Sequence, residues 1–190
     1  LLFISYSFSI KSGPGAAASS FRLIEALKEL GHEVETLEAE DFKDNHPKNF
    51  DQPVAGQKLA FWNNYHNGRQ SSKLLKRVSE INPDLIVLGA VDRGILSILD
   101  LPKLNYPIVW ICRDNWSHTG GCLFQLDRSE ISTKPSGLEE YSDILTCGRY
   151  KSDCIECPAI SEPREKVKAK LQFELKRLVY SFRRDIYFIP

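Results

Sequence analysis

The sequence predicts an α/β fold, a doubly wound parallel sheet of Rossmann-like form. Short apolar runs (LLFISY, PDLIVLG, YPIVWIC, DIYFIP) alternate with segments of helical period. Strand–helix alternation of this kind is the signature of a parallel sheet with helices on both faces. Small or polar residues also follow the apolar runs, at the strand ends where open α/β sheets take their ligands.

LLFISY opens the chain as a buried strand. SIKSGPGAAASS then leads into FRLIEALKELGHEV, where Phe21, Ile24, Leu27 and Leu30 recur at helical spacing and Gly31 reads as the C-cap. EVETLEA alternates apolar and acidic residues, which places a second strand near the sheet edge. Asp41 to Gly56 is polar, holds Pro47 and Pro53, and reads as a loop. From Gln57 to Ile81 an amphipathic helix is expected, with Leu59, Trp62, Leu74, Leu75 and Val78 inward. Asn63, Asn64, Asn67 and Gly68 weaken its middle. PDLIVLG is a buried strand, RGILSILDL a short helix and YPIVWIC another buried strand. A helix from Glu162 to Ser181 and the strand DIYFIP complete the alternation.

The 190 residues suit one domain, residues 1–190, with an irregular, cysteine-rich insert over 114–161. Hydrophobic residues make up 42%, enough for a sizeable core. Lys+Arg and Asp+Glu balance at 25 each, so no overall charge points to nucleic acid or an anionic membrane. The tail from Arg164 to Arg184 is locally basic, as a solvated helix face or a membrane-surface patch would be. No apolar run approaches the roughly 20 residues of a membrane span, and the opening residues lack the form of a signal peptide. A cytoplasmic protein is therefore expected. A chain without methionine that opens inside a strand also reads as a piece of a longer protein.

Two segments carry candidate chemistry. In SGPGAAASS, Gly13 and Gly15 allow close backbone approach and Ala16 keeps the helix start unobstructed, while the helix N-terminus favours an anion. Ser12, Ser19 and Ser20 offer hydroxyls, and the alternative is a plain turn before a helix. The segment is not G-x-G-x-x-G, so it is a poor match to an ordinary dinucleotide fingerprint. After YPIVWIC come Arg113, Asp114 and Asn115. Arg113 suits phosphate or carboxylate, and Asp114 suits a sugar hydroxyl. The alternative is a local salt bridge between Arg113 and Asp114. Trp116, His118 and Thr119 offer a stacking face and donors, or simply packing.

Cysteines follow as Cys122-x24-Cys147-x6-Cys154-x2-Cys157. Cys-x-x-Cys lets two thiolates meet one tetrahedral ion, and two more would close a structural zinc site. Disulfides or unlinked thiols are the other readings. Cys112, inside the strand, reads as a small buried hydrophobe.

The string RDNWSHTGGC with C-x6-C-x-x-C-P behind it, together with the strand, GPG loop and FRLIEALKELGHEVETL at the start, resembles the N-terminal domain of family-4-type retaining glycosyltransferases. The resemblance runs from residue 1 to 190, and the cysteine insert is its most specific part. It implies a GT-B architecture, two Rossmann-like domains facing across a cleft, with this chain the acceptor-side domain and the donor-binding C-terminal domain elsewhere. It implies transfer of a sugar from a nucleotide sugar to a glycan or lipid-linked acceptor, work at the inner membrane face with peripheral membrane association, and no nucleic acid. Arg113 and Asp114 fall at its catalytic positions. Members with this insert carry His-Asp where this chain has Arg113-Asp114. Gly13, Gly15, Ala16, Asn115, His118 and Thr119 fall on the substrate side. A nucleotide- or sugar-phosphate-binding module with a zinc-stapled loop is the alternative expectation.

Overall fold

A computed structural model describes residues 1–9, 15–45, 68–91, 95–120 and 163–190. Its elements in chain order are strand β1 (Leu2–Ser5), helix α1 (Gly15–Glu29), strand β2 (Glu35–Glu38), helix α2 (Gly68–Ile81), strand β3 (Ile86–Leu88), strand β4 (Ile108–Ile111), helix α3 (Pro163–Phe182) and strand β5 (Ile186–Ile189). Short 3-10 helices span Ala39–Asn45, Ile98–Lys103 and Trp116–His118. The five strands form one parallel sheet in the order β2-β1-β3-β4-β5, so the predicted parallel α/β architecture is present.

Alternate strand residues serve opposite faces of this sheet. Leu2, Ile4, Ile86, Leu88, Ile108 and Trp110 join the larger core, where Leu74 and Val78 of α2 and Val179 of α3 cover them. Phe3 and Val87, with Val109 and Ile111 half-buried, face the other way, onto Ile24 and Leu27 of α1. Helices therefore cover both faces, and β1 and β3 read as continuous apolar runs for that reason.

The expected C-cap is present. Gly31 takes φ +87, its N–H reaches the Lys28 carbonyl at 2.9 Å and the His32 N–H reaches Leu27 at 3.1 Å. That pair of bonds is a Schellman motif, which needs a left-handed residue where glycine stands. β2 lies at the sheet edge, as its acidic alternation predicted.

Several expectations need correction. Leu30 is 76% exposed, whereas Ile24 of the same stripe is buried and Leu27 packs beside it, and α1 also buries Ala17 and Ser20. The cap turns the chain away one residue after Leu30, leaving no core for it to enter. The 41–56 loop begins inside the 3-10 helix Ala39–Asn45, where Phe42 is buried. Where a short helix was expected, RGILSILDL supplies part of a 3-10 helix with Pro102 inside, because proline removes the N–H that an α-helix requires. Leu59, Trp62, Asn63, Asn64 and Asn67 lie outside the described residues, and Gly68 is the first residue of α2. Among the described residues no helix is long and apolar enough to cross a membrane.

Candidate functional site at the carboxyl ends of the strands

In the order β2-β1-β3-β4-β5 the chain reverses direction across the sheet between β1 and β3, and open α/β sheets bind ligands outside the carboxyl ends at such a switch. The two strands are held close at this point. The Gly89 N–H reaches the Ile4 carbonyl at 2.9 Å and the Tyr6 N–H reaches Ala90 at 2.7 Å. A Cβ on Gly89 would stand 2.9 Å from Ser5 Oγ and 3.5 Å from Ser20 Oγ, so glycine lets β3 approach both β1 and α1.

Gly15 is the first residue of α1, exposed, and a Cβ there would meet nothing within 4 Å. It does not use the positive φ that glycine permits. Ala16 is half-buried, and its carbonyl accepts a bond from the Ser19 hydroxyl at 3.2 Å. Ser20 is buried. No acidic residue occupies the first turn of α1, so the positive end of its dipole is not neutralised locally. Gly13 and Ser12 lie outside the described residues.

β4 ends at Ile111, where the Cys112 N–H pairs with the Ile189 carbonyl of β5 at 2.7 Å. The chain then turns sharply. Asp114 Oδ1 accepts the Trp116 N–H at 2.8 Å, capping the 3-10 helix Trp116–His118 in place of Asn115. Among the described residues no ion pair joins Arg113 to Asp114. Arg113 and His118 are exposed and Asn115 is half-buried. Trp116 and Thr119 are each 1% exposed. Trp116 therefore belongs to the packing. Its ring lies 6.0 Å from Trp110, which in turn stacks on Phe188 at 5.8 Å.

The turn is held from behind by α3. Lys176, 1% exposed, donates from Nζ to the carbonyls of Trp116 and Thr119, the latter at 2.8 Å. Its Nζ also lies 3.7 Å from the Trp116 ring centroid. One helical turn on, the Tyr180 hydroxyl donates to the Ser117 carbonyl at 2.6 Å. Sequence reading missed both residues and assigned the tail's lysines to a solvated face. A signal was present: Ala169, Gln172, Phe173, Lys176, Val179 and Tyr180 follow helical spacing, so Lys176 falls in the middle of an inward stripe.

The electrostatics differ among the neighbours. Burial, then the Lys176 charge, pushes the His118 imidazole below its ordinary pKa, with Asp114 opposing. His118 is thus a neutral imidazole near pH 7, and its Nδ1 stands 3.3 Å from Ser117 Oγ. Cys112 is half-buried and lies one residue beyond β4, not inside the strand as the buried hydrophobe expected there. Burial pushes its thiol up, against a lowering hydrogen bond with Ser117 Oγ at 3.3 Å. Tyr180 is raised by burial and stays protonated as a donor.

The exposed α1 start and the β4 turn therefore share one end of the sheet. Backbone N–H groups, a guanidinium and a neutral imidazole suit a ligand bearing phosphate or hydroxyl groups. Cys122, Cys147, Cys154 and Cys157, the residues of the expected zinc site or disulfides, lie outside the described residues. No protein-family model, curated protein or solved structure matches this chain.

Proposed function

We propose that this chain is the acceptor-side Rossmann-like domain of a GT-B glycosyltransferase of the family-4 type, acting on a nucleotide sugar and a glycan or lipid-linked acceptor. The observation that carries the reading is the joint position of two segments. The start of α1 and the Arg113–Thr119 turn both follow carboxyl ends of one parallel sheet, and both fall within the sequence motifs that resemble this family. In this reading the N-terminus of α1 faces the leaving diphosphate. Arg113 and His118 hold the acceptor or the reacting sugar, and Asp114 shapes the turn that carries them. Positioning and electrostatic stabilisation of the leaving group supply the rate enhancement. Zinc on Cys122, Cys147, Cys154 and Cys157 would fasten the insert, as a structural rather than catalytic ion. Work at the inner membrane face accompanies the reading when the acceptor is lipid-linked.

A second domain supplies most of the donor site in this architecture, so the 190-residue chain alone is expected to give no multiple-turnover transfer. The test is transfer of labelled sugar from a panel of nucleotide sugars, with this chain alone and with it joined to a donor-binding domain. Transfer only by the joined form supports the reading. Turnover by the chain alone contradicts it. Micromolar nucleotide binding by the chain alone, with no transfer by either form, would favour a stand-alone nucleotide- or sugar-phosphate-binding module.

A further inference from the structure

We infer that Lys176 and Tyr180 are positioning residues for the turn after β4: from one face of α3 they hold the carbonyls of Trp116, Ser117 and Thr119, and so set the direction in which Arg113, Asn115 and His118 leave the sheet.

Among the described residues, the turn has little backbone bonding of its own to hold it. Its 3-10 helix spans three residues, and the bond that closes it, from the His118 N–H to the Asn115 carbonyl, is 3.3 Å long. Such short helices have poor hydrogen-bond geometry and leave their last carbonyls without partners. Water usually meets carbonyls of that kind in a surface connection. Here an ammonium group that is 1% exposed and a half-buried phenol meet them instead. Burying an ammonium is unfavourable unless its donors are engaged, so an ordinary core position on this stripe would carry an aliphatic residue. Lys176 also spans the Trp116 ring, which pins the turn from the side as well as from below. Asp114 closes the opposite end through the Trp116 N–H. The result is a three-residue turn fixed at both ends, with exposed polar side chains at its rim.

That these side chains serve sugar transfer rests on the proposed function. Their positioning by α3 does not, and it is measured without any sugar. Amide exchange and imidazole titration are followed by NMR on the full chain and on Tyr180→Phe, Lys176→Met and Lys176→Arg. Tyr180→Phe should speed exchange at the Trp116 and His118 amides about tenfold, as loss of one hydrogen bond implies. The β1 and β3 amides should exchange as before. Lys176→Met should open the turn further. Among the described residues, the groups facing His118 include Asp114, Lys176 and the Ser117 hydroxyl. Removing the Lys176 charge should therefore raise the His118 midpoint, whereas Tyr180→Phe and Lys176→Arg should leave it in place. Equal loss of protection across the whole sheet in Tyr180→Phe would make these residues ordinary core and overturn the inference. So would unchanged exchange at the turn. Should Lys176→Met fail to fold, Tyr180→Phe decides alone. A localised opening of the turn, together with no transfer by a form joined to a donor-binding domain, would remove the function and leave the positioning intact.

Discussion

Gly89 meets Ser5 at the floor of the switch between β1 and β3, where an added Cβ would lie 2.9 Å from the Ser5 hydroxyl oxygen and 3.1 Å from its Cβ. The contact fixes how closely β1 and β3 run at the end where the start of α1 and the turn after β4 emerge. Both Ser5 and Ser20 are 2% exposed, so neither can turn aside into solvent. Gly89→Ala should destabilise the fold by about 1–3 kcal/mol, as overpacking does. Ser5→Ala in the same chain should recover part of that loss, since it removes the closer of the two Ser5 contacts. Urea midpoints of the two variants check both statements, and an unchanged midpoint for Gly89→Ala would contradict them.

Arg183, just past α3, ties that end of the helix to the 3-10 helix Ile98–Lys103 and to the connection that leads into β4. Its Nε and Nη2 bond Asp185 at 2.7 and 2.9 Å, its Nη1 serves the Leu101 and Leu104 carbonyls, and its Nη2 serves Tyr106 at 2.8 Å. Arg183→Ala should destabilise by about 2–4 kcal/mol, because three carbonyls lose the guanidinium together. Asp185 adds a pH dependence. Hydrogen bonding to Arg183 holds its carboxyl below the ordinary value. Its contribution is therefore present above the unfolded pKa of about 4 and is lost as pH falls through the lower folded value. The carboxylate is half-exposed, so the contribution should stay below about 1 kcal/mol. Urea midpoints of wild type and Asp185→Asn should differ at pH 7 and converge as pH falls through the lowered folded value.

The sheet was legible in the sequence because both faces of its central strands are buried, which makes LLFISY and PDLIVLG continuous apolar runs. Gly31 was legible because a helix terminus needs a left-handed residue there. The outward fate of Leu30 was not, since helical period alone cannot say how far the sheet extends beneath the last turn. The same limit hid Lys176. A lysine is assigned to solvent by type, and only the stripe from Ala169 to Tyr180, together with carbonyls 57 and 60 residues earlier in the chain, places it inside. The turn's polar residues were legible as candidates, but Trp116 proved to be packing because Trp110 and Lys176 enclose it.

Arg113 is exposed at the rim of the turn, free of any role in the core. In a form joined to a donor-binding domain, Arg113→Ala should lower kcat/KM by about tenfold or more, equivalent to ~1.4 kcal/mol of transition-state stabilisation. Its urea midpoint should match wild type. Equal kcat/KM would assign Arg113 to the surface alone.

The four insert cysteines should bind about one equivalent of zinc in protein purified under reducing conditions without chelator. Removal of the ion should loosen the insert, since a structural metal site couples ion binding to ordering. Elemental analysis decides it. Zinc below about a tenth of an equivalent would leave disulfides or packing to order that segment.

The central claim is that one end of this sheet receives a sugar donor and its acceptor. Chemical-shift mapping of the labelled chain against millimolar nucleotide sugar tests it most directly. The account predicts weak, saturable shifts confined to the start of α1, from Gly15 to Ser20, and to the turn from Arg113 to Thr119. Shifts centred on the opposite end of the sheet, around Glu33–Val34 and Asp84–Leu85, would contradict it, as would no saturable shift at any nucleotide sugar tested.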